Sequence, residues 1–527
     1  MTSYLGLDAS TQSLTALLID VHTGAVRANH SVVFGERLPR YQSPKGFLAH
    51  QDRRVVHSDP LMWVEALELV LGDLVEAGVN LGDVAGVSGA GQQHGSVYLA
   101  RSFEDVGSWS LDRPLRDQVA PRLSRRTAPI WMDSSTSAEC AEITAAAGGD
   151  DRLVAISGSR AIERFTGPQI RKFYKDAPAD WARTREIHLV SSFMASLLTA
   201  SSVPTDLGDA AGMNLLDLGA ATWSPALLDA TAPGLSAKLR PPVSSATRVG
   251  VVDAYFVRKF GFAPGTPVIA FTGDNPSSLI GMGASRPGTA VVSLGTSDTV
   301  FAAMAAPRTD PQGFGHVFGN PAGGFMALAC FANGSLAREA VAQRFGLSWD
   351  AFAEAILNRT RPGNNGNLLL PYFVPEITPR LPAPAERWFG SENFVDGREP
   401  DAAARAVVEA QALNLRHFSG WIGEAFEPIL VTGGASRNPG ILRVLADVFQ
   451  ATVVPLKVSN SSALGAALRA ARAVGGHDWA DLTGRFSAPA THLAVAPDPT
   501  TREVYAEAAR ELDQRRNEVM AKLFVKR

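Results

Sequence analysis

Two stretches of this chain, nearly 300 residues apart, follow one plan: a strand, a hydroxyl-rich turn and a returning strand. In the first, Tyr4 to Leu7 is strand-like, Asp8-Ala9-Ser10-Thr11-Gln12-Ser13 forms the turn, and Leu14 to Ile19 resumes the apolar run, a β-hairpin pattern. In the second, Ala290 to Leu294 leads into Gly295-Thr296-Ser297-Asp298-Thr299, and Val300 to Ala303 returns. The repetition suggests two domains on one plan, although two ordinary hairpins would look the same. The length of 527 residues leaves room for about two to four compact units and for a cleft between them.

Between and after the hairpins the pattern alternates. Leu61, Val64, Leu67, Val70, Leu71 and Leu74 fall at helical spacing, and Val84 to Val87 is a short strand candidate. Helices are expected over Ser134 to Ala147, Thr184 to Thr199 and Ala402 to Phe426, and from Asn333-Gly334 to Phe345. Val268 to Phe271 and Ile429 to Val431 read as buried strands, each ending in a glycine-bearing turn. Asn438 is placed to cap a helix that has Pro439 at its first position, where a missing N–H costs nothing. Strands alternating with helices predict an α/β architecture.

Composition and motifs exclude several functions. Net charge is −3, without the basic excess that binding to nucleic-acid phosphates requires. No apolar run is long enough to span a membrane, and the first residues lack a basic leader, so a cytoplasmic protein with no membrane partner is expected. The two cysteines, Cys140 and Cys330, make no metal or disulfide set and fit a reducing compartment. Gly-Lys occurs nowhere, which excludes a Walker A loop, and the protein-kinase HRD and DFG signatures are missing. Gly89-Ala90-Gly91-Gln92-Gln93-His94-Gly95 has His94 where a dinucleotide fingerprint needs its third glycine.

What remains fits phosphoryl transfer, which needs donors around the phosphates, a carboxylate for magnesium and a base for the nucleophile. Asp8, with Ser10 and Thr11, is a candidate for the metal side, and Gly295-Thr296-Ser297 for a phosphate cradle. Asp274 is the candidate base. Gly433 and Gly434, after a strand, leave room for a flat ring or a phosphate. Each motif alone is equally a turn device; their order and combination carry the reading.

That combination resembles the FGGY family of carbohydrate kinases, within the actin-like ATPase superfamily, over nearly the whole chain. The resemblance rests on Gly89 to Ser96, Trp131-Met132-Asp133-Ser134-Ser135-Thr136, Glu163-Arg164-Phe165-Thr166-Gly167 and Thr272-Gly273-Asp274-Asn275-Pro276. It continues through Ser293 to Asp298, Phe331-Ala332-Asn333-Gly334-Ser335-Leu336 and Thr432-Gly433-Gly434-Ala435-Ser436. The first three sets are similar to those of a branch, also found in animals, that acts on D-xylulose.

The resemblance implies two ribonuclease-H-like domains with a deep cleft between them, 1–283 holding the sugar and 284–527 most of the ATP. It implies ATP and Mg2+ as cofactors, a small sugar as substrate, a monomer or homodimer, and phosphorylation of D-xylulose to D-xylulose 5-phosphate. Another ketose or a polyol (ribulose, glycerol) is the nearest alternative substrate, and a silent sugar sensor a remoter one. Asp274 matches the catalytic base; His94, Arg164, Asn275 and, less firmly matched, Gln93 would join it around the sugar. Asp8 would serve the metal, and Ser10, Thr11, Gln12, Gly295, Thr296, Ser297, Gly433, Gly434, Ala435 and Asn438 the nucleotide. Trp349 would stack on adenine or, equally, be a core tryptophan opening a helix. Many relatives carry Asp-Gly-Arg after the tryptophan; here Asp133 is followed by Ser134 and Ser135, and the resemblance implies that Arg164 would take the missing arginine's place at the sugar. Asp133 itself would line the sugar pocket or cap the next helix.

Overall fold

The computed structural model describes residues 2–487 and 489–524. Thirteen strands build two main sheets among the described residues. The first contains β1 (Ser3–Ala9), β2 (Ser13–Asp20), β3 (Ala25–Val33), β4 (Val84–Gly91), β5 (Arg248–Val251), β6 (Pro267–Ile269) and β7 (Thr272–Gly273). The second contains β8 (Ala290–Leu294), β9 (Asp298–Met304), β10 (His316–Gly319), β11 (Phe325–Phe331), β12 (Ile429–Thr432) and β13 (Val453–Pro455). Their orders are β5-β6-β4-β1-β2-β3, with β7 also on β4, and β10-β11-β9-β8-β12-β13.

The plan is the same in both. An antiparallel hairpin (β1–β2 or β8–β9) continues antiparallel on one side, while its first strand pairs with a parallel strand, β4 or β12, on the other. Parallel strands send their carboxyl ends to one edge, where ligands of open α/β sheets bind. Register makes this concrete: Asp8 pairs with Ala90, and Ala90 with Thr272, so the residues after β1, β4 and β7 converge. In the second sheet Ser293 pairs with Thr432, which sets the Gly295 turn beside Gly433.

Helices cover the faces. Helix α1 (Pro60–Glu76) starts where the Asp59 carboxylate accepts from Leu61 N, with Pro60 at its first position. Its buried stripe, including Trp63, Val64, Leu67, Val70, Leu71 and Leu74, packs on β2 and β3. Each such side chain is worth about 1.5–3 kcal/mol when fully buried. The stretch expected as one helix from Thr184 divides instead. Glu186–Leu189 is a strand paired with Ser96–Leu99, and only Val190–Thr199, named α3 below α2 (Ser137–Ala147), is helical. The reason is tertiary: an edge strand nearly 90 residues upstream supplies the ladder partners that a local reading cannot see. The amphipathic stretch from Ala402 also ends early, its helix running Pro400–Ser419.

Helices α4 (Leu207–Ala210), α5 (Asp274–Gly281), α6 (Ser335–Phe345), α7 (Trp349–Glu354), α8 (Pro400–Ser419), α9 (Pro439–Phe449) and α10 (Ser461–Gly475) complete the parts that matter here. Helix α10 follows the second sheet in the chain yet packs on β1, β2 and β4 of the first. It also crosses α5 backbone to backbone. A Cβ on Gly281 would sit 1.9 Å from the Ser461 carbonyl oxygen, and one on Gly465 would sit 1.8 Å from that of Ser277. Gly6 meets α10 in the same way, 2.0 Å from the Ala463 carbonyl oxygen.

Candidate active site

The acid pocket forms where β1, β4 and β7 end. Asp274 is the first residue of α5 and keeps a half-buried carboxylate. Its Oδ1 accepts from Asn275 N at 2.8 Å, Asn275 Nδ2 at 3.1 Å and Gln93 N at 3.3 Å, which leaves Oδ2 free of these bonds. Asn275 Nδ2 also donates to Gln93 Oε1 at 2.8 Å, so Gln93, Asp274 and Asn275 form one unit. Burial, followed by the charge of Asp8, pushes the Asp274 carboxyl up to about 7. That value suits a general base near neutral pH.

Asp8 lies at the end of β1, and Ser10 Oγ donates to its Oδ2 at 2.7 Å. Burial pushes its carboxyl up to about 6, against the Ser10 and Ser462 hydroxyls, which favour the charged form. Its Oδ1 is buried with no hydrogen-bond partner. Thr11 Oγ1 accepts from the indole Nε1 of Trp131 at 2.8 Å and donates to Gln92 Oε1 at 3.4 Å, while Gln12 is exposed at the hairpin tip. Among the described residues no group of three or more His, Cys, Asp or Glu is arranged to hold a metal ion. A single carboxylate with an orphaned oxygen fits Mg2+, which keeps waters and substrate phosphates as its other ligands.

His94 holds the left-handed backbone region at φ 69° just after β4. Its Nδ1 donates to the Gly212 carbonyl at 2.8 Å. Burial, then the positive charge of Arg164, pushes the ring down to about 3, so it is neutral and its Nε2 is an acceptor for a hydroxyl. The Phe165 ring lies 4.4 Å away, centroid to centroid. Arg164 reaches His316 of β10, Nη2 to Nε2, at 3.3 Å.

A separate cleft of about 580 Å3 opens at the carboxyl end of the second sheet. Gly295, Thr296, Trp349, Gly434, Ala435 and Asn438 line it. Ser297 and Gly433 lie outside the lining but adjoin it in the chain. Trp349 follows the Ser348 cap of α7 and is 49% exposed, so it is not a core residue. Asn438 caps α9 through Oδ1, which accepts from Gly440 N at 3.0 Å and Ile441 N at 3.2 Å. The two glycines differ. Gly433, at φ 92°, would put a Cβ 2.3 Å from the Leu294 carbonyl oxygen, so packing alone requires glycine there. Gly434 would meet no protein atom within 4 Å, so the space above it is open to a ligand. The floor is a buried pair, Arg338 donating to both Asp298 oxygens at 2.8 and 3.0 Å.

Asp133 is not the cap of α2. It is buried and saturated, accepting from Ser135 N, Ser135 Oγ and Gln169 Nε2 on Oδ1 and from Val56 N on Oδ2. Thr136 precedes α2 as its cap residue. Sequence reasoning also passed over Asp206, Asp209 and His316. Asp209 is fully buried, accepts from Ser191 Oγ at 2.5 Å, and has its other oxygen orphaned. Burial holds its carboxyl well above the usual range, despite Ser191, and the charges of Asp206 and Asp274 add to this. No motif surrounds these residues; only an acid pair three apart at the start of α4, Asp206 capping Asp209 N at 2.9 Å, was available as a signal.

The FGGY family of carbohydrate kinases matches twice, its N-terminal domain over residues 123–281 and its C-terminal domain over residues 290–474. The xylulose kinase of Mus musculus is 42% identical over 511 residues, 95% of this chain and 92% of that protein. Xylulose kinase 2 of Arabidopsis thaliana is 40% identical over 496 residues, 90% of this chain and 87% of that protein. Among solved structures, the fold matches xylulose kinase from Rhodospirillum rubrum with a TM-score of 0.82 at 23% identity, covering 100% of both chains. It matches Plasmodium falciparum glycerol kinase with ADP at a TM-score of 0.77 and 14% identity, covering 98% of both. With two family domains in order and relatives this similar along almost its whole length, the chain belongs to the FGGY family of carbohydrate kinases.

Proposed function

We propose that this carbohydrate kinase transfers the γ-phosphoryl group of ATP to D-xylulose, giving D-xylulose 5-phosphate and ADP. The observation that carries the reading is Asp274, whose carboxylate is held by Gln93 and Asn275 where β1, β4 and β7 end, near enough to Asp8 for the two charges to repel. The relatives named for xylulose support the choice of sugar.

In this reading residues 1–283 hold the sugar and residues 284–527 most of the nucleotide. His94 Nε2 accepts from one sugar hydroxyl, Asn275 and Gln93 meet others, and Arg164 donates to an oxygen. A site that bonds each hydroxyl rejects sugars that leave a partner unpaired. Gly295, Thr296 and Ser297 cradle phosphates with Ser10, Thr11 and Gln12 facing them, and Gly433, Gly434, Ala435, Asn438 and Trp349 hold the adenosine. As the C5 oxygen bonds to the γ-phosphorus, the bond to the β–γ bridging oxygen breaks and Asp274 takes the hydroxyl proton. Asp8 would hold Mg2+ together with the phosphates, and the ion when bound would supply positive charge against the charge that develops on the leaving oxygens. No helix among the described residues is long and apolar enough to cross a membrane. A cytoplasmic enzyme, monomeric or homodimeric, completes the proposal.

The test is ADP release with magnesium-ATP across a panel of ketoses and polyols, with Asp274→Ala beside the wild type. D-xylulose should be strongly preferred and the release lost in the variant. Preference for ribulose or glycerol would overturn the substrate and keep the chemistry.

A further inference from the structure

Four rings gather beside Arg164, two from the part of the chain before the second sheet and two from that sheet. His94 lies 4.4 Å from Phe165 and 6.4 Å from Phe318, and His316 lies 5.3 Å from Phe165 and 6.1 Å from Phe318. His94 and Phe165 precede the second sheet in the chain; His316 and Phe318 belong to β10, its edge strand. We propose that His316 is a positioning residue for Arg164, so that a strand of the second sheet completes the sugar pocket. This rests on the assignment of Arg164 to the sugar.

An arginine carries donors only, so an acceptor must fix its orientation. His316 supplies one: Nε2 faces Arg164 Nη2 at 3.3 Å, and Nδ1 faces Ser159 Oγ at 3.2 Å. The ring is 1% exposed and wedged between Phe165 and Phe318, so it has little freedom to turn away. Backbone contact holds the strand in place, Val317 N donating to the Gly158 carbonyl at 3.2 Å. Burial, then the charge of Arg164, keeps His316 well below the usual histidine range, which suits a neutral acceptor.

The identity of the acceptor has a chemical consequence. A carboxylate would also orient the guanidinium, but it would cancel its charge. Glu163, the nearest in sequence, is engaged instead with Arg380 at 3.3 Å. A neutral imidazole orients Arg164 and leaves its positive charge for a sugar oxygen, and a charge-assisted bond is stronger than a neutral one.

The test is steady-state kinetics for His316→Leu, His316→Gln, Arg164→Ala and the double variant His316→Leu/Arg164→Ala. His316→Leu should raise KM for D-xylulose about tenfold, the loss expected for a bond to a charged group, with KM for ATP unchanged. His316→Gln, which keeps an acceptor, should restore KM to within about threefold of wild type. The double variant should bind the sugar no worse than Arg164→Ala alone, because both act through one guanidinium. Multiplying effects, or failure of glutamine to rescue, would overturn the proposal. If His316→Leu does not fold, Ser159→Ala, which frees the ring's other nitrogen, should still raise KM for the sugar about threefold, and no change would overturn it. If Arg164→Ala itself leaves KM for D-xylulose untouched, the assignment of Arg164 to the sugar fails, whatever His316 does.

Discussion

Asp274→Asn should abolish turnover and stabilise the resting protein. The aspartate's carboxyl is raised from 3.8 to about 7 by burial and by Asp8, so the folded state resists its ionisation. A rise of that size corresponds to about 4 kcal/mol when the group is ionised in both states. The side chain keeps an accessible edge and shares the effect with Asp8, so a gain of about 1–2 kcal/mol is expected on removing the charge. Asparagine loses little else, because its Oδ1 still accepts from Gln93 N, Asn275 N and Asn275 Nδ2. The sign follows from the direction of the shift. A carboxyl raised on folding is neutral in both states below pH 4, becomes a growing penalty between about 4 and 7, and exerts its full penalty above 7. Thermal melts without nucleotide or metal should therefore show the variant about 1–2 °C more stable at pH 8 and equal to wild type near pH 4. ADP release should fall by about 100-fold or more, the loss expected for a general base. A variant less stable than wild type at pH 8, or one that keeps near-full turnover, would refute the assignment of strain and base to one residue.

Gly434→Val should raise KM for ATP at least about tenfold while leaving the melting temperature within a degree or two, since no protein atom lies within 4 Å of the new Cβ. An unchanged KM in a steady-state ATP titration would remove Gly434 from the nucleotide cleft. The pH profile of kcat/KM for the sugar should fall on the acid side as the coupled Asp8–Asp274 pair gains a proton, with apparent values near 6–7. A profile flat from pH 5 to 8 would contradict it. Gly281→Ala should destabilise by about 2–4 kcal/mol, read as a lowered denaturant midpoint, because its Cβ would sit 1.9 Å from the Ser461 carbonyl oxygen of α10.

Both hairpins, the Asn438–Pro439 helix start and the stripe of α1 were legible because each rests on neighbours in sequence. The glycine and acid turns could be located for the same reason, and the sheet registers bring them to common edges. Contacts made over long separations were not legible. The strand at Glu186 depends on Ser96–Leu99, and the saturation of Asp133 depends on Val56 and Gln169. Trp349 stood equally as core or ring platform until its exposure decided against the core. His316 has no motif around it; what makes it notable is a guanidinium 152 residues away.

The placement of α10 bears on how the molecule is made. Its apolar side covers Tyr4, Leu17 and Ile19, near the amino terminus, with residues 463–471. During synthesis those early strands must wait, uncovered, until nearly the entire polypeptide has left the ribosome. The amino-terminal half expressed by itself should therefore aggregate, and residues 461–475 supplied as a separate peptide should rescue its solubility.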